Sequence, residues 1–125
     1  MAANVTSVFM YVENVLKSLE FYNEIVGAEV AQIHAEKEGA PISLAILKVG
    51  GFTIMLHPQE PHAEDFDGAR VGVGIHLQMR VDNVDDFYQH CIDQGAFLSV
   101  SGEPTDQSWG WREFALKDLD GFVWS

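Results

Sequence analysis

The sequence predicts an α+β fold in which two copies of one βαβββ unit form a single domain of 125 residues. Three observations predict it. Short segments recur in the same order at nearly constant spacing. Each copy holds one helical pattern that begins after an asparagine and ends at a glycine. Each helix is followed by three β-rich segments that are separated by turn residues.

The internal repeat is the strongest of these signals. The segment VENV at Val12–Val15 returns as VDNV at Val81–Val84, 69 residues later (81 − 12). Four further dipeptides recur in the same order: Phe21-Tyr22 and Phe87-Tyr88, Gly27-Ala28 and Gly95-Ala96, Leu47-Lys48 and Leu116-Lys117, Gly51-Phe52 and Gly121-Phe122. Each match is short, but their shared order indicates a duplicated architecture.

The first copy is predicted to begin with a strand at Val5–Val12 and to turn into a helix at Asn14, whose side chain can cap the first turn. The apolar stripe of this helix is Val15, Leu19, Tyr22 and Val26. Gly27 can adopt the left-handed conformation that ends a helix. Three strands are expected near Glu29–His34, Ile42–Val49 and Phe52–His57, with a tight hairpin at Gly50-Gly51.

The second copy repeats the pattern with Asn83 as the cap and Gly95 as the stop. Its helical stripe is Val84, Phe87, Cys91 and Ile92, which makes Cys91 a core residue rather than a nucleophile. Its strands are expected near Phe97–Ser101, Arg112–Lys117 and Phe122–Ser125, with a hairpin turn at Asp120-Gly121. The stretch Pro58–Arg70 is rich in proline and acids and is predicted to be a linker. Module one then covers about residues 1–57 and module two about residues 71–125.

The charge balance limits the classes of partner. There are 7 basic and 19 acidic residues, a formal net charge of −12, which would repel nucleic-acid backbones. Such a field attracts cationic ligands, or it serves only to keep the protein in solution. With one cysteine, no signal-peptide pattern and no long apolar stretch, a cytoplasmic protein without membrane contact is expected.

The order βαβββ–βαβββ with these turns resembles the vicinal oxygen chelate superfamily over the whole chain. That superfamily includes glyoxalase I, extradiol dioxygenases and bleomycin resistance proteins. The stretch Trp109–Gly121, which reads WGWREFALKDLDG, is similar to the final hairpin of the bleomycin resistance branch. The resemblance implies a curved mixed sheet with a concave cleft, helices on its outer face, and a homodimer.

The resemblance also implies where a metal would bind in members that use one. The four corresponding positions hold Ser7, Met55, His76 and Ser125, of which only His76 is a competent ligand for zinc, iron or manganese. His57 lies two residues beyond Met55 on the same strand face and is the one candidate for a second ligand. We therefore expect no metal and no other cofactor.

The residues predicted to contact a small-molecule ligand lie on the strands and loops of the expected cleft: Met55, His57, His76, Trp109, Trp111 and Arg112. The loop residue Trp109 would offer a stacking surface to a planar ligand. Arg112 could fix an anionic group or pair with a nearby acid, and pairing is favoured. Phe114 and Phe122 are expected in the core.

These observations favour a binding protein over an enzyme. The predicted function is metal-independent sequestration of a planar, cationic small molecule in a dimer cleft, as the resemblance to bleomycin resistance proteins implies. The alternatives are a metal-dependent lyase, isomerase or dioxygenase of the same superfamily, a metal-free acid–base enzyme that uses His76 or Glu113, and a sensor or accessory protein.

Overall fold

A computed structural model describes residues 2–60, 72, 74–96, 100 and 102–125. The chain divides into two compact units, Met1–Arg70 and Val71–Ser125. Each unit combines helix with β-strands, so the predicted α+β class is confirmed.

The first unit is a four-stranded mixed sheet with a helical segment on one face. Its strands are β1 (Ser7–Val12), β2 (Glu29–Ala35), β3 (Ile42–Val49) and β4 (Phe52–Pro58). They lie in the order β1-β4-β3-β2, and the β1–β4 pair is parallel while the other two pairs are antiparallel. The observed strand bounds lie within two residues of the predicted ones.

Helix α1 (Val15–Phe21) begins where the sequence predicts, because the Asn14 side chain accepts a hydrogen bond of 3.0 Å from the backbone amide of Lys17. The chain then continues as a wider π-helical turn, Tyr22–Val26, which the sequence did not predict. Gly27 ends it in the left-handed conformation, with φ of 82°, as expected.

The core of this unit lies between the helical segment and one face of the sheet. Alternate strand residues are buried on that face: Met10, Val12, Ala45, Leu47, Ile54 and Leu56. The hydroxyl group of the fully buried Tyr22 donates to the Met10 sulfur at 3.5 Å, which ties the π-helical turn to β1. The residues between them point to the other face, which no helix among the described residues of this unit covers.

The second unit has shorter strands. They are β5 (His76–Leu77), β6 (Thr105–Asp106), β7 (Arg112–Glu113), β8 (Leu116–Lys117) and β9 (Val123–Trp124). One sheet has the order β5-β9-β8, with β5 parallel to β9, and β6 pairs with β7 in a separate hairpin. Helix α2 (Val84–Asp93) begins at Asn83, whose side chain accepts from the Asp86 amide at 3.0 Å.

The prediction of one continuous strand at Arg112–Lys117 is wrong. The segment forms β7 and β8, which pair with different partners and are separated at Phe114 and Ala115. The Phe114 ring instead packs on helix α2, with its centroid 6.0 Å from Phe87 and 5.4 Å from Tyr88. Aromatic contacts with the helix take the place of strand pairing at the break.

Two other predicted segments lie wholly or partly outside the described residues. Of the expected strand Phe97–Ser101, only Val100 is described, and it forms a single antiparallel bridge to Leu116. Of the expected linker Pro58–Arg70, Pro58 belongs to β4, and residues 61–70 are not described.

The β8–β9 turn is built as the sequence predicts. The buried Asp118 carboxylate accepts hydrogen bonds from the backbone amides of Asp120, at 2.9 Å, and Phe122, at 2.8 Å. Gly121 supplies a φ of 93°. Phe122 is buried, and Phe114 is half-buried against α2.

Cys91 is fully buried on helix α2, which confirms its predicted place in the core. Burial disfavours the charged thiolate and raises the pKa of the Cys91 thiol to about 11. Within the described part of the chain, no helix combines the length and apolar character that crossing a bilayer requires.

Candidate functional site

Two open cavities in the second unit are both lined by Glu113 and Ser125. The larger has a volume of about 530 Å³ and is called the acidic cavity here. Its lining residues are His76, Gly102, Glu103, Thr105, Gln107, Glu113, Phe114, Ala115 and Ser125. The other has a volume of about 440 Å³ and is called the arginine cavity. Its lining residues are Gln78, Met79, Arg80, Val81, Val84, Trp111, Arg112, Glu113 and Ser125.

His76 and Ser125 meet in the acidic cavity because β5 and β9 run parallel, with His76 opposite Val123. A hydrogen bond of 2.9 Å joins His76 Nε2 to Ser125 Oγ. The backbone continues the pairing, because the Ser125 amide donates to the Leu77 carbonyl at 2.9 Å. One ring nitrogen of the exposed His76 is therefore engaged by a hydroxyl group.

Arg112 is held by two carboxylates. Its Nε and Nη2 atoms donate to the two oxygens of Asp85 at 2.9 and 2.8 Å, and Nη1 donates to Asp106 at 3.1 Å. The hydrogen bonds from Arg112 lower the pKa of Asp85, and the same bonds raise the pKa of Arg112. The favoured expectation that Arg112 pairs with a nearby acid is confirmed.

The β6–β7 hairpin presents two exposed tryptophans. The Gln107 amide donates to the Trp111 carbonyl at 2.6 Å, and the Gly110 amide donates to the Gln107 carbonyl at 3.0 Å, which closes the loop between the strands. Trp109 is 60% exposed on this loop, and Trp111 is 50% exposed beside the arginine cavity. An exposed indole on a closed hairpin offers a flat contact surface for a planar molecule.

In the first unit, Met55 and His57 lie on the sheet face that α1 leaves uncovered. The parallel register sets Phe9 beside Met55 and Tyr11 beside His57. The His57 ring lies 5.7 Å from the ring of Phe9 and 6.1 Å from that of Tyr11, and both contacts are edge-on. The sequence reasoning missed Phe9 and Tyr11, although the alternation along Ser7–Val12 places them on this face.

The residues at the four family positions do not suit a zinc, iron or manganese ion. Ser7 and Met55 in the first unit offer a neutral hydroxyl group and a thioether, and His76 in the second unit is bonded to Ser125. Three or more nitrogen, oxygen or sulfur donors of suitable charge are normally required. Over the described ranges, no group of three His, Cys, Asp or Glu side chains has an arrangement that could hold a metal ion.

Several residues of the site were missed by the sequence reasoning. Asp85 and Asp106 hold Arg112, while Glu103 and Gln107 line the acidic cavity beside Glu113, which the sequence suggested only as a possible acid–base residue. Asp85 lies 27 residues before Arg112, so no local sequence pattern predicts that the two side chains pair. Strand alternation places Arg112 and Glu113 on opposite faces, but it does not indicate that Asp85 and Asp106 would hold Arg112.

The family comparison covers almost the entire chain. The model described as Glyoxalase/Bleomycin resistance protein/Dioxygenase superfamily matches residues 4–125. No curated protein matches the chain.

Solved structures share the fold at low sequence identity. TioX from Micromonospora sp. ML1 is 18% identical, with 98% of this chain and 95% of that chain covered and a TM-score of 0.74. A superfamily member from Sphaerobacter thermophilus DSM 20745 is 23% identical, with 98% and 94% covered and a TM-score of 0.72. A glyoxalase-related enzyme from Fulvimarina pelagi is 16% identical, with 98% and 86% covered and a TM-score of 0.76. At these identities the likeness concerns the fold.

Proposed function

Because this chain belongs to the glyoxalase/bleomycin resistance protein/dioxygenase superfamily, we propose that it is a metal-independent binding protein of the bleomycin-resistance type. It sequesters a planar, cationic small molecule in the cleft of a homodimer and carries out no chemistry on it. The proposed ligand contacts include His76, Trp109 and Trp111 of the second unit and Met55 and His57 of the first.

The observation that carries the proposal is the character of the two cavities. The described lining of the acidic cavity holds Glu103 and Glu113 and no lysine or arginine, which suits a positively charged molecule. The exposed Trp111 of the arginine cavity offers a flat apolar surface. Among the described residues, no three His, Cys, Asp or Glu side chains are arranged so that they could hold a metal ion. Binding without metal-assisted chemistry is the use that these side chains support best.

Calorimetric titration with bleomycin in metal-free buffer tests the ligand class. We expect binding in the micromolar range, and replacing the exposed Trp111 by alanine should weaken it by at least tenfold. The matched control is Leu119→Ala, which removes another exposed large apolar side chain on the β8–β9 turn, outside both cavities. Absence of heat at high micromolar bleomycin would rule out this ligand, and an equal loss in both variants would rule out the site.

The competing metal-dependent function predicts a stoichiometric divalent ion. Elemental analysis of the purified protein, together with thermal unfolding in the presence of zinc, nickel or manganese, separates the two. We expect less than one tenth of an ion per chain and no thermal shift. A bound ion that His76→Ala removes would contradict the proposal.

The homodimer is a separate part of the proposal. Sedimentation velocity at micromolar concentration should give a species of twice the 13.9 kDa chain mass. The half-exposed Phe9 and Ile33 supply apolar surface that association would cover. A single monomeric species across this concentration range would contradict the dimer.

A further inference from the structure

We propose that Glu113 is the residue that selects a positively charged group of the ligand, an amine, amidine or guanidine, and that Arg112 is only a positioning residue. The inference rests on the proposed binding function and names the chemistry of its ligand. The net charge of −12 describes the entire chain, whereas recognition of a ligand cation needs one carboxylate in a defined place.

The charge of Arg112 is compensated by two carboxylates. Its guanidinium group forms two hydrogen bonds with Asp85 and a third with Asp106, so one positive charge faces two negative ones. A guanidinium group in such a fork is fixed in direction and has its charge compensated. Arg112 is therefore poorly placed to attract an anionic ligand, and its role is to tie the β6–β7 hairpin to the start of helix α2.

Glu113 follows Arg112 on β7. Arg112 reaches Asp85 of helix α2, and Glu113 lines both cavities. Glu113 is half-buried, and within the described ranges no ion pair or hydrogen bond to its side chain is formed.

The surroundings of the Glu113 carboxylate differ between the two cavities. Glu103 and Glu113 both line the acidic cavity, and the described residues around it include no lysine or arginine. Arg80 and Arg112 share the other cavity with Glu113, but among the described residues neither forms an ion pair or hydrogen bond with it. A half-buried carboxylate without such a pair is unfavourable, and a ligand cation in the acidic cavity relieves that cost.

The shape of the charged group follows from the geometry of a carboxylate. Phe114 also lines the acidic cavity, although its ring packs on Phe87 and Tyr88 of helix α2. A planar cation such as an amidinium can direct two parallel N–H groups at one carboxylate. The acidic cavity thus favours flat, delocalised cations over spherical ones.

Benzamidine and benzamide form a matched pair of probes for this proposal, since they share one shape and differ in charge. Their binding to the full chain can be followed by two-dimensional amide NMR titration. We expect benzamidine to shift the amide resonances of Glu113 and Thr105 and to bind at least tenfold more tightly than benzamide. In Glu113→Gln the two probes should bind alike. The matched control Asp93→Asn, on the exposed side of α2, should retain the full preference.

The positioning role of Arg112 has its own readout. Asp85→Asn removes one of the two carboxylates that hold Arg112, and Asp85 lines neither cavity. The substitution should therefore weaken the binding of both probes and preserve the ratio of their affinities. A ratio that collapses in Asp85→Asn would mean that the Arg112 network, and not Glu113, selects charge. Equal binding of the two probes to the unmodified protein, or a preference retained in Glu113→Gln, would overturn the proposal.

The test of Glu113 and the test of bleomycin binding can fail independently of each other. If bleomycin binds and Glu113→Gln leaves its affinity unchanged, the binding function stands and the assignment of Glu113 falls. If benzamidine binds at Glu113 while bleomycin does not bind, the assignment stands and the bleomycin-type ligand falls.

Discussion

Replacing Asp118 by alanine should destabilise the second unit by about 2–4 kcal/mol. The Asp118 side chain accepts hydrogen bonds from two backbone amides, those of Asp120 and Phe122, and Asp118 itself is only 6% exposed. Each amide left without its partner costs about 1–3 kcal/mol, and the lower end applies to Asp120 because it is partly exposed. The turn that carries β8 into β9 then loses both of its side-chain supports.

Urea unfolding followed by tryptophan fluorescence measures this loss directly. All three tryptophans lie in the second unit, so the signal reports that unit, and the buried Trp124 follows the turn closely. Asp118→Asn keeps an acceptor oxygen and should lose less than half as much. The control Asp82→Ala removes an exposed acid and should change the unfolding free energy by less than about 0.5 kcal/mol. If Asp118→Ala unfolds at the same urea concentration as the Asp82→Ala control, the assigned role of the turn is wrong.

Three further predictions concern stability and reactivity. Arg112 lowers the pKa of Asp85, so the pair stabilises the folded protein above about pH 4, and this stabilisation is lost as the pH falls through the lowered pKa. In urea unfolding, Asp85→Asn should therefore be less stable than the unmodified protein at neutral pH and equally stable in strong acid. Because burial raises the pKa of Cys91 to about 11, iodoacetamide at pH 8 should label the native protein at least ~100-fold more slowly than the urea-unfolded chain, and equal rates would contradict its core position. Gly72→Ala should destabilise by about 2–3 kcal/mol in urea unfolding, since its φ is 77° and an added Cβ would lie 2.6 Å from a backbone carbonyl oxygen; Gly74→Ala, with φ of 87° and open space around it, should cost only about 1 kcal/mol.

The features that the sequence predicts well are governed by contacts between residues close in the chain. The caps at Asn14 and Asn83 act on amides three residues away, and Gly27 sets its own backbone conformation. The Asp118 turn likewise closes within four residues. These elements could be predicted because the physical cause and its effect lie in one short window.

The split of the predicted strand at Phe114 could not be predicted in that way. The local pattern favours continuous β structure, and the break depends on rings of helix α2, 26 and 27 residues earlier in the chain. The pairing of Arg112 with Asp85 likewise depends on a contact between residues that lie 27 positions apart in the chain. Of the predicted ligand contacts, His76, Trp111 and Arg112 line the two cavities, while contact of any of them with a ligand stays a prediction.

The π-helical turn at Tyr22–Val26 accounts physically for the different lengths of the two helical segments. Thirteen positions separate the cap Asn14 from the stop Gly27, whereas twelve separate Asn83 from Gly95. In a π-helix the amide bonds to the carbonyl five residues back instead of four, so one additional residue fits into the last turns without moving either end. Tyr22 and Cys91 each lie eight positions after their cap, and both side chains are fully buried. The π-helical turn therefore adds one residue before Gly27 while a core side chain keeps the same distance from the cap in both units.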